Sequence, residues 1–97
     1  MWCTKLRPGD KVEIGGLALR FRLFCGGYAR FAIEGKYAPT AFWTKPDLQV
    51  GRTYKLPLNG LTATLKVSRS WDRSVELRVD APPAVIIRKT NVGEEGA

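Results

Sequence analysis

The sequence predicts an all-β fold: two tandem β units of short antiparallel strands forming one compact, pseudo-symmetric domain. Three observations predict it. Apolar and polar residues alternate along much of the chain, glycine pairs and an Asn-Gly step punctuate the alternation, and one pattern occurs twice, from Gly9 to Lys45 and from Gly51 to Lys89. Gly16-Leu17 opens GLALRFRLF and its copy closes on Ala38-Pro39, while Gly60-Leu61 opens GLTATLKVS and closes on Ala81-Pro82. With Leu17 laid on Leu61, Leu19, Phe21 and Leu23 fall on Ala63, Leu65 and Val67, and Phe31 and Ile33 fall on Val75 and Leu77. The repeat is one of apolar positions more than of identities. Two copies of a β unit suggest a built-in dimer, whose interface is a place for function.

The elements follow in chain order. Gly15-Gly16 supplies a tight turn, and Leu17 to Phe24 places its large apolar residues on odd positions with Arg20 and Arg22 on even ones, the period of a half-buried strand. Cys25-Gly26-Gly27 gives the next turn. After the Ala38-Pro39 corner the last strand of the first unit is expected over Phe42-Trp43-Thr44. Asn59-Gly60 repeats the first turn, Leu61 to Val67 alternates with Thr62, Thr64 and Lys66 outward, and Ser70-Trp71-Asp72-Arg73 stands where the next turn is needed. Val75, Leu77 and Val79 alternate with Glu76, Arg78 and Asp80, and the closing strand is expected over Ala84-Val85-Ile86-Ile87. Pro8, Pro46 and Pro57 break any helix longer than two turns. The units are placed at residues 1–46 and 47–92, with 93–97 a disordered tail; the polar, small residues from Thr90 onward read as a fraying end.

Length and composition bound the function. A chain of 97 residues, 44% of them apolar, builds one domain or two half-domains with a shared core. There is no apolar run of the roughly 18 residues a spanning helix needs and no basic-then-apolar leader, so a soluble, cytoplasmic protein without membrane contact is expected. Cys3 and Cys25 fit no paired metal or redox spacing, and the absence of histidine removes the usual zinc ligand and proton shuttle. The carboxylates Asp10, Glu13, Glu34, Asp47, Asp72, Glu76 and Asp80 are scattered, and no phosphate-cradling loop is present. Neither an enzyme nor a cofactor or metal is implied.

Charge points elsewhere. Sixteen Lys and Arg stand against nine Asp and Glu, and two of the nine, Glu94 and Glu95, belong to the Gly-rich tail. Such an excess attracts nucleic acid first and acidic protein surfaces second, or serves only solubility. Lys5, Arg7, Arg88 and Lys89 lie near the two chain ends, which in small domains are often neighbours. Converging, they would bind phosphates while an edge strand's backbone pairs with unpaired bases; dispersed, they would only guard the edges against aggregation. A second cluster, Arg20, Arg22, Arg30 and Lys36 with Tyr28 and Tyr37, reads either as a base-stacking face or as a solvated sheet face. Trp43 reads as core or interface, and Trp71, in the polar turn SRSWDRS, as an exposed contact residue.

At this point a family resemblance becomes specific. The opening MWCTKLRPGDKVEIGG, with Gly9-Asp10 and Ile14-Gly15, and the closing VELRVDAPPAVIIRK, with Asp80-Ala81-Pro82, Val85, Ile87 and Arg88-Lys89, are similar to the ends of the carbon storage regulator (CsrA/RsmA) family of RNA-binding translational regulators. The first repeat keeps Ala38-Pro39, Phe42 and Lys45, but Pro46 stands where the family has a key arginine. Family chains hold one unit, dimerise and end in a helix. Here the units are fused, the helix is missing, and only Lys5 and Arg7 charge the first strand.

The resemblance implies a first strand lying beside the last strand of the partner unit, and a site for a GGA-containing RNA loop drawn from both. Carried over, that site comprises Thr4, Lys5, Arg7, Asp80, Ala81, Pro82, Val85, Ile87, Arg88 and Lys89. Its counterpart, from Phe42 to Val50, is expected to be damaged by its prolines and Asp47. The expectation is a monomeric post-transcriptional regulator that acts by occluding single-stranded or hairpin-loop RNA. The alternatives are a small basic β-barrel adaptor or inhibitor, phage-derived in one version, gripping an acidic protein, and a nonspecific DNA binder.

Overall fold

The computed structural model describes residues 1–35 and 38–91. The chain forms strands β1 (Trp2–Leu6), β2 (Lys11–Ile14), β3 (Leu17–Cys25), β4 (Tyr28–Glu34), β5 (Asp47–Gln49), β6 (Thr53–Leu58), β7 (Leu61–Trp71), β8 (Ser74–Asp80) and β9 (Ile87–Thr90), with the alternating segments in β3, β7 and β8. They form two antiparallel sheets, ordered β1-β8-β7-β6 and β5-β4-β3-β2-β9. The fold is all-β.

The two halves of the chain interleave. β1 leaves the first half to pair with β8, Leu6 opposite Val75, while β5 and β9 leave the second half to pair with β4 and β2. Burial explains why strands this short hold their places. Leu6 and Leu48 are both fully buried, and each such side chain removed from water contributes roughly 1.5–3 kcal/mol before ordering costs. One core takes Leu6, Val12, Ile14, Leu19 and Phe21 together with Leu56, Leu65, Val67, Leu77 and Val79, so neither half has a core of its own.

The ladders also define which residues are equivalent. Hairpin β3-β4 closes on Cys25 and Tyr28, and hairpin β7-β8 on Trp71 and Ser74. Both carry a bulge, between Phe21 and Leu23 and between Val67 and Arg69. Leu19, Phe21, Ala29 and Phe31 are therefore the counterparts of Leu65, Val67, Val75 and Leu77, two residues further along than the alignment that lays Leu17 on Leu61. That alignment holds only at the β2-β3 and β6-β7 turns, where Leu17 and Leu61 follow two-residue loops. A shift of two preserves the inside-outside alternation, so periodicity alone could not reveal it. The match extends to Gly9 and Gly51, with φ of 97° and 86°, whose N–H groups donate to the equivalent carbonyls of Phe21 and Val67, each at 2.8 Å.

Four expectations need correction. Phe42-Trp43-Thr44 is a 3₁₀ turn, held by Trp43 N–H to Thr40 O and Thr44 N–H to Ala41 O, because the buried Trp43 side chain draws the backbone out of extension. The closing strand begins only at Ile87; Val85 N–H bonds Pro82 O in a turn, and Ile86 is exposed. Thr90 is paired with Lys11 rather than frayed, while residues 92–97, including the expected tail, lie outside the described residues. The bulge at Phe21 turns Leu23 outward and Phe24 toward the core, ending the odd-position rule there.

Candidate nucleic-acid interface

The first and last strands are not ladder partners, as the resemblance implied. They are the edges of different sheets, and they meet along a seam. Lys89 Nζ crosses it to donate to Lys5 O at 2.7 Å. It also stands 4.0 Å from Oδ2 of the fully buried Asp10, whose same oxygen accepts Arg7 N–H at 2.8 Å. Asp10 thus shapes the turn after β1 and offsets a cation at the seam. With its carbonyl aimed away from β8, Lys5 presents its backbone to the open side of β1, and alternation gives Cys3 the same orientation.

The basic pair of β9 is split between faces. Lys89 stands opposite buried Val12 and turns into the seam, whereas Arg88, opposite Glu13, points outward and bonds Glu13 Oε2 at 3.0 Å. On β1, Lys5 is exposed and Thr4 lies on the core-facing side with Leu6. Arg7 is exposed just beyond the strand. Asp80 ends β8 opposite Thr64, with Ala81 and Pro82 half-buried after it. Val85 packs against Gly15, its Cγ1 3.4 Å from where a Cβ would stand, and Ile87 pairs with Ile14. The structure therefore brings Lys5, Arg7 and Lys89 to one seam, sets Arg88 on its outer flank, and uses Val85 and Ile87 mainly for packing.

Two cations of the second cluster read from the sequence are paired with carboxylates. Arg20 makes a two-armed contact with Glu34 at 2.9 Å and bonds Gly9 O, and Arg30 pairs with Asp47 at 3.1 Å. Arg22 sits exposed at the bulge, and Lys36 and Tyr37 lie outside the described residues.

The seam's counterpart in the other half differs in three ways. Where Lys5 faces Glu76 across the ladder, the equivalent pair is Asp47 facing Arg30, with the signs exchanged. Where β9 lines β2, no strand among the described residues lines the free side of β6. There Trp43 Nε1 donates to Lys55 O at 3.1 Å, and Pro57, two residues on, has no N–H to offer. Of the prolines and Asp47 expected to damage this counterpart, Asp47 stands opposite Arg30 and the Pro46 carbonyl accepts Phe31 N–H.

Residues absent from the sequence-derived site also gather here. Lys5 Nζ lies 4.9 Å and Arg69 Cζ 5.5 Å from the Trp71 ring centroid. Trp71 stood out in the sequence as an aromatic in a polar turn; Arg69 and Arg73 gave no signal until the hairpin was folded beside β1. Glu76, between these cations, has its carboxyl lowered from the ordinary glutamate value, first by the Ser68 hydroxyl it accepts from, with desolvation next and opposing, and then by Arg78 and Arg69.

Cys3 and Cys25 are exposed free thiols, and no group of three metal-binding side chains occurs among the described residues. No helix among them is long and apolar enough to cross a membrane. No family model, curated protein or solved structure matches the chain.

Proposed function

We propose that the chain is an RNA-binding post-transcriptional regulator of the carbon-storage-regulator type, with both units of a dimer in one polypeptide. It would bind single-stranded or hairpin-loop RNA of GGA type and act by occluding it, in the cytoplasm where messages are translated. The observation that carries the reading is the exchange of first strands, β1 to β8 and β5 to β4, which makes the partner contact of a dimer intramolecular and sets the edge of β1 beside Lys89 of β9. An open strand edge offers donors and acceptors to unpaired base edges, and Lys5, Arg7 and Arg88 are the cations that would take the flanking phosphates. Double-stranded RNA suits the seam poorly, since its base edges are recessed.

Selection from a randomised RNA pool tests this directly. GGA enriched in loops, with log affinity falling linearly as log salt rises, is the expected result. A pool that enriches nothing, or equal retention of duplex DNA, would remove the reading and leave the nonspecific or protein-binding alternatives.

A further inference from the structure

We propose that Trp71 is a base-stacking platform that extends the RNA site from the seam to the tip of hairpin β7-β8, with Lys5, Arg7, Arg69 and Arg73 taking the adjacent phosphates. The inference rests on the RNA reading above and names where a nucleotide beyond the core motif would sit.

The argument comes from comparing the molecule with itself. The ladders make Asp47, Gln49, Leu23, Cys25 and Gly27 the counterparts of Lys5, Arg7, Arg69, Trp71 and Arg73. The two-residue turn and the bulge agree in the two places, although Gly26 and Gly27 both take positive φ where only Asp72 does in the other tip; yet four cations and an indole occupy one place and none of these occupies the other. A patch needed for folding would be needed in both. Trp71 does little for the core, being 37% exposed, in contrast to Trp43 at 1%.

The chemistry of the patch selects nucleic acid. An indole with cations at 4.9 and 5.5 Å offers a flat π surface beside positive charge, the combination that single strands use through stacked bases and bridging phosphates. Next to it, Arg7, Pro8, Asp72, Arg73 and Ser74 line a shallow hollow of about 250 Å³. Asp72, at φ of 57°, turns the chain at the tip, and Arg73 follows it at the rim.

The test is titration of the full chain and of Trp71→Ala and Trp71→Phe with a GGA-loop RNA hairpin carrying unpaired flanking nucleotides. Stacking is worth about 1–3 kcal/mol per base, so Trp71→Ala should weaken binding about fivefold or more, with the salt slope unchanged because no cation is lost. Trp71→Phe should recover most of the loss. In the unaltered protein labelled with fluorotryptophan, RNA should shift the Trp71 resonance and leave that of Trp43 in place. Parent-like binding by Trp71→Ala, with a static Trp71 resonance, overturns the platform while the proposed function stands. A parent that binds no RNA removes both, and if that parent instead retains a poly-glutamate peptide, the patch passes to an acidic protein partner.

Discussion

The ammonium of Lys89 donates to the carbonyl oxygen of Lys5 at 2.7 Å, tying the last strand to the first across the gap between two sheets. The same side chain approaches buried Asp10, so Lys89 belongs to the framework, whereas Arg88 beside it, its side chain 71% exposed, only meets Glu13 at the surface.

Lys89→Ala should therefore cost about 1–2 kcal/mol, the value of a charged hydrogen bond reduced by the partial exposure of the side chain, and Arg88→Ala less than about 0.5 kcal/mol. Urea denaturation of the two variants measures the difference. Equal stabilities would mean that the seam contact contributes nothing. For RNA, Arg88→Ala is the cleaner probe: it should lower the salt slope by about one without disturbing the fold.

Only one seam should bind RNA tightly. At the other, Asp47 replaces Lys5 and no strand among the described residues lines β6 as the cation-bearing β9 lines β2. Calorimetric titration with a short GGA hairpin should give one RNA per chain. Two equivalent sites would contradict the asymmetry.

Gly9 and Gly51 should respond alike to alanine. Both adopt a left-handed conformation and donate to equivalent carbonyls, so each substitution should cost roughly 1–2 kcal/mol, and the two values should agree within about 0.5 kcal/mol. Thermal or denaturant unfolding of both variants checks the internal symmetry, and a harmless change at one site alone would break it.

Glu76 should titrate below the ordinary 4.5 of a glutamate, and Ser68→Ala should move its midpoint upward by removing the largest cause of the shift. With the folded value depressed, the stabilisation linked to Glu76 is present above the unfolded value and is lost as pH falls through the folded one. Carbonyl-detected NMR follows both midpoints, and an unmoved midpoint in the variant would rule out the hydroxyl as the main cause.

The sequence carried most of the strands because β3, β7 and β8 bury one face and expose the other, which period two reports directly. It carried the pairing less well. β1 and β5 show little alternation of their own and are placed by partners far along the chain, Val75 for Leu6 and Ala29 for Leu48. Tertiary burial of Trp43 overrode the extended appearance of Phe42-Trp43-Thr44. The candidate site was legible at Lys5, Arg7 and Lys89; the opposite orientation of Arg88 needed the β2-β9 register, and the approach of Arg69 to Lys5 needed β8 between them.

In an assembly of two identical chains every substitution appears at both places at once, so a change that suits one face is imposed on the other. A single polypeptide that contains both halves escapes this constraint. Lys5 can remain basic while Asp47 becomes acidic, and one hairpin can keep glycines at its tip while its twin acquires an indole and arginines. The covalent link between the halves thus makes the two faces separately heritable, and one can hold a ligand while the other drifts toward some different use.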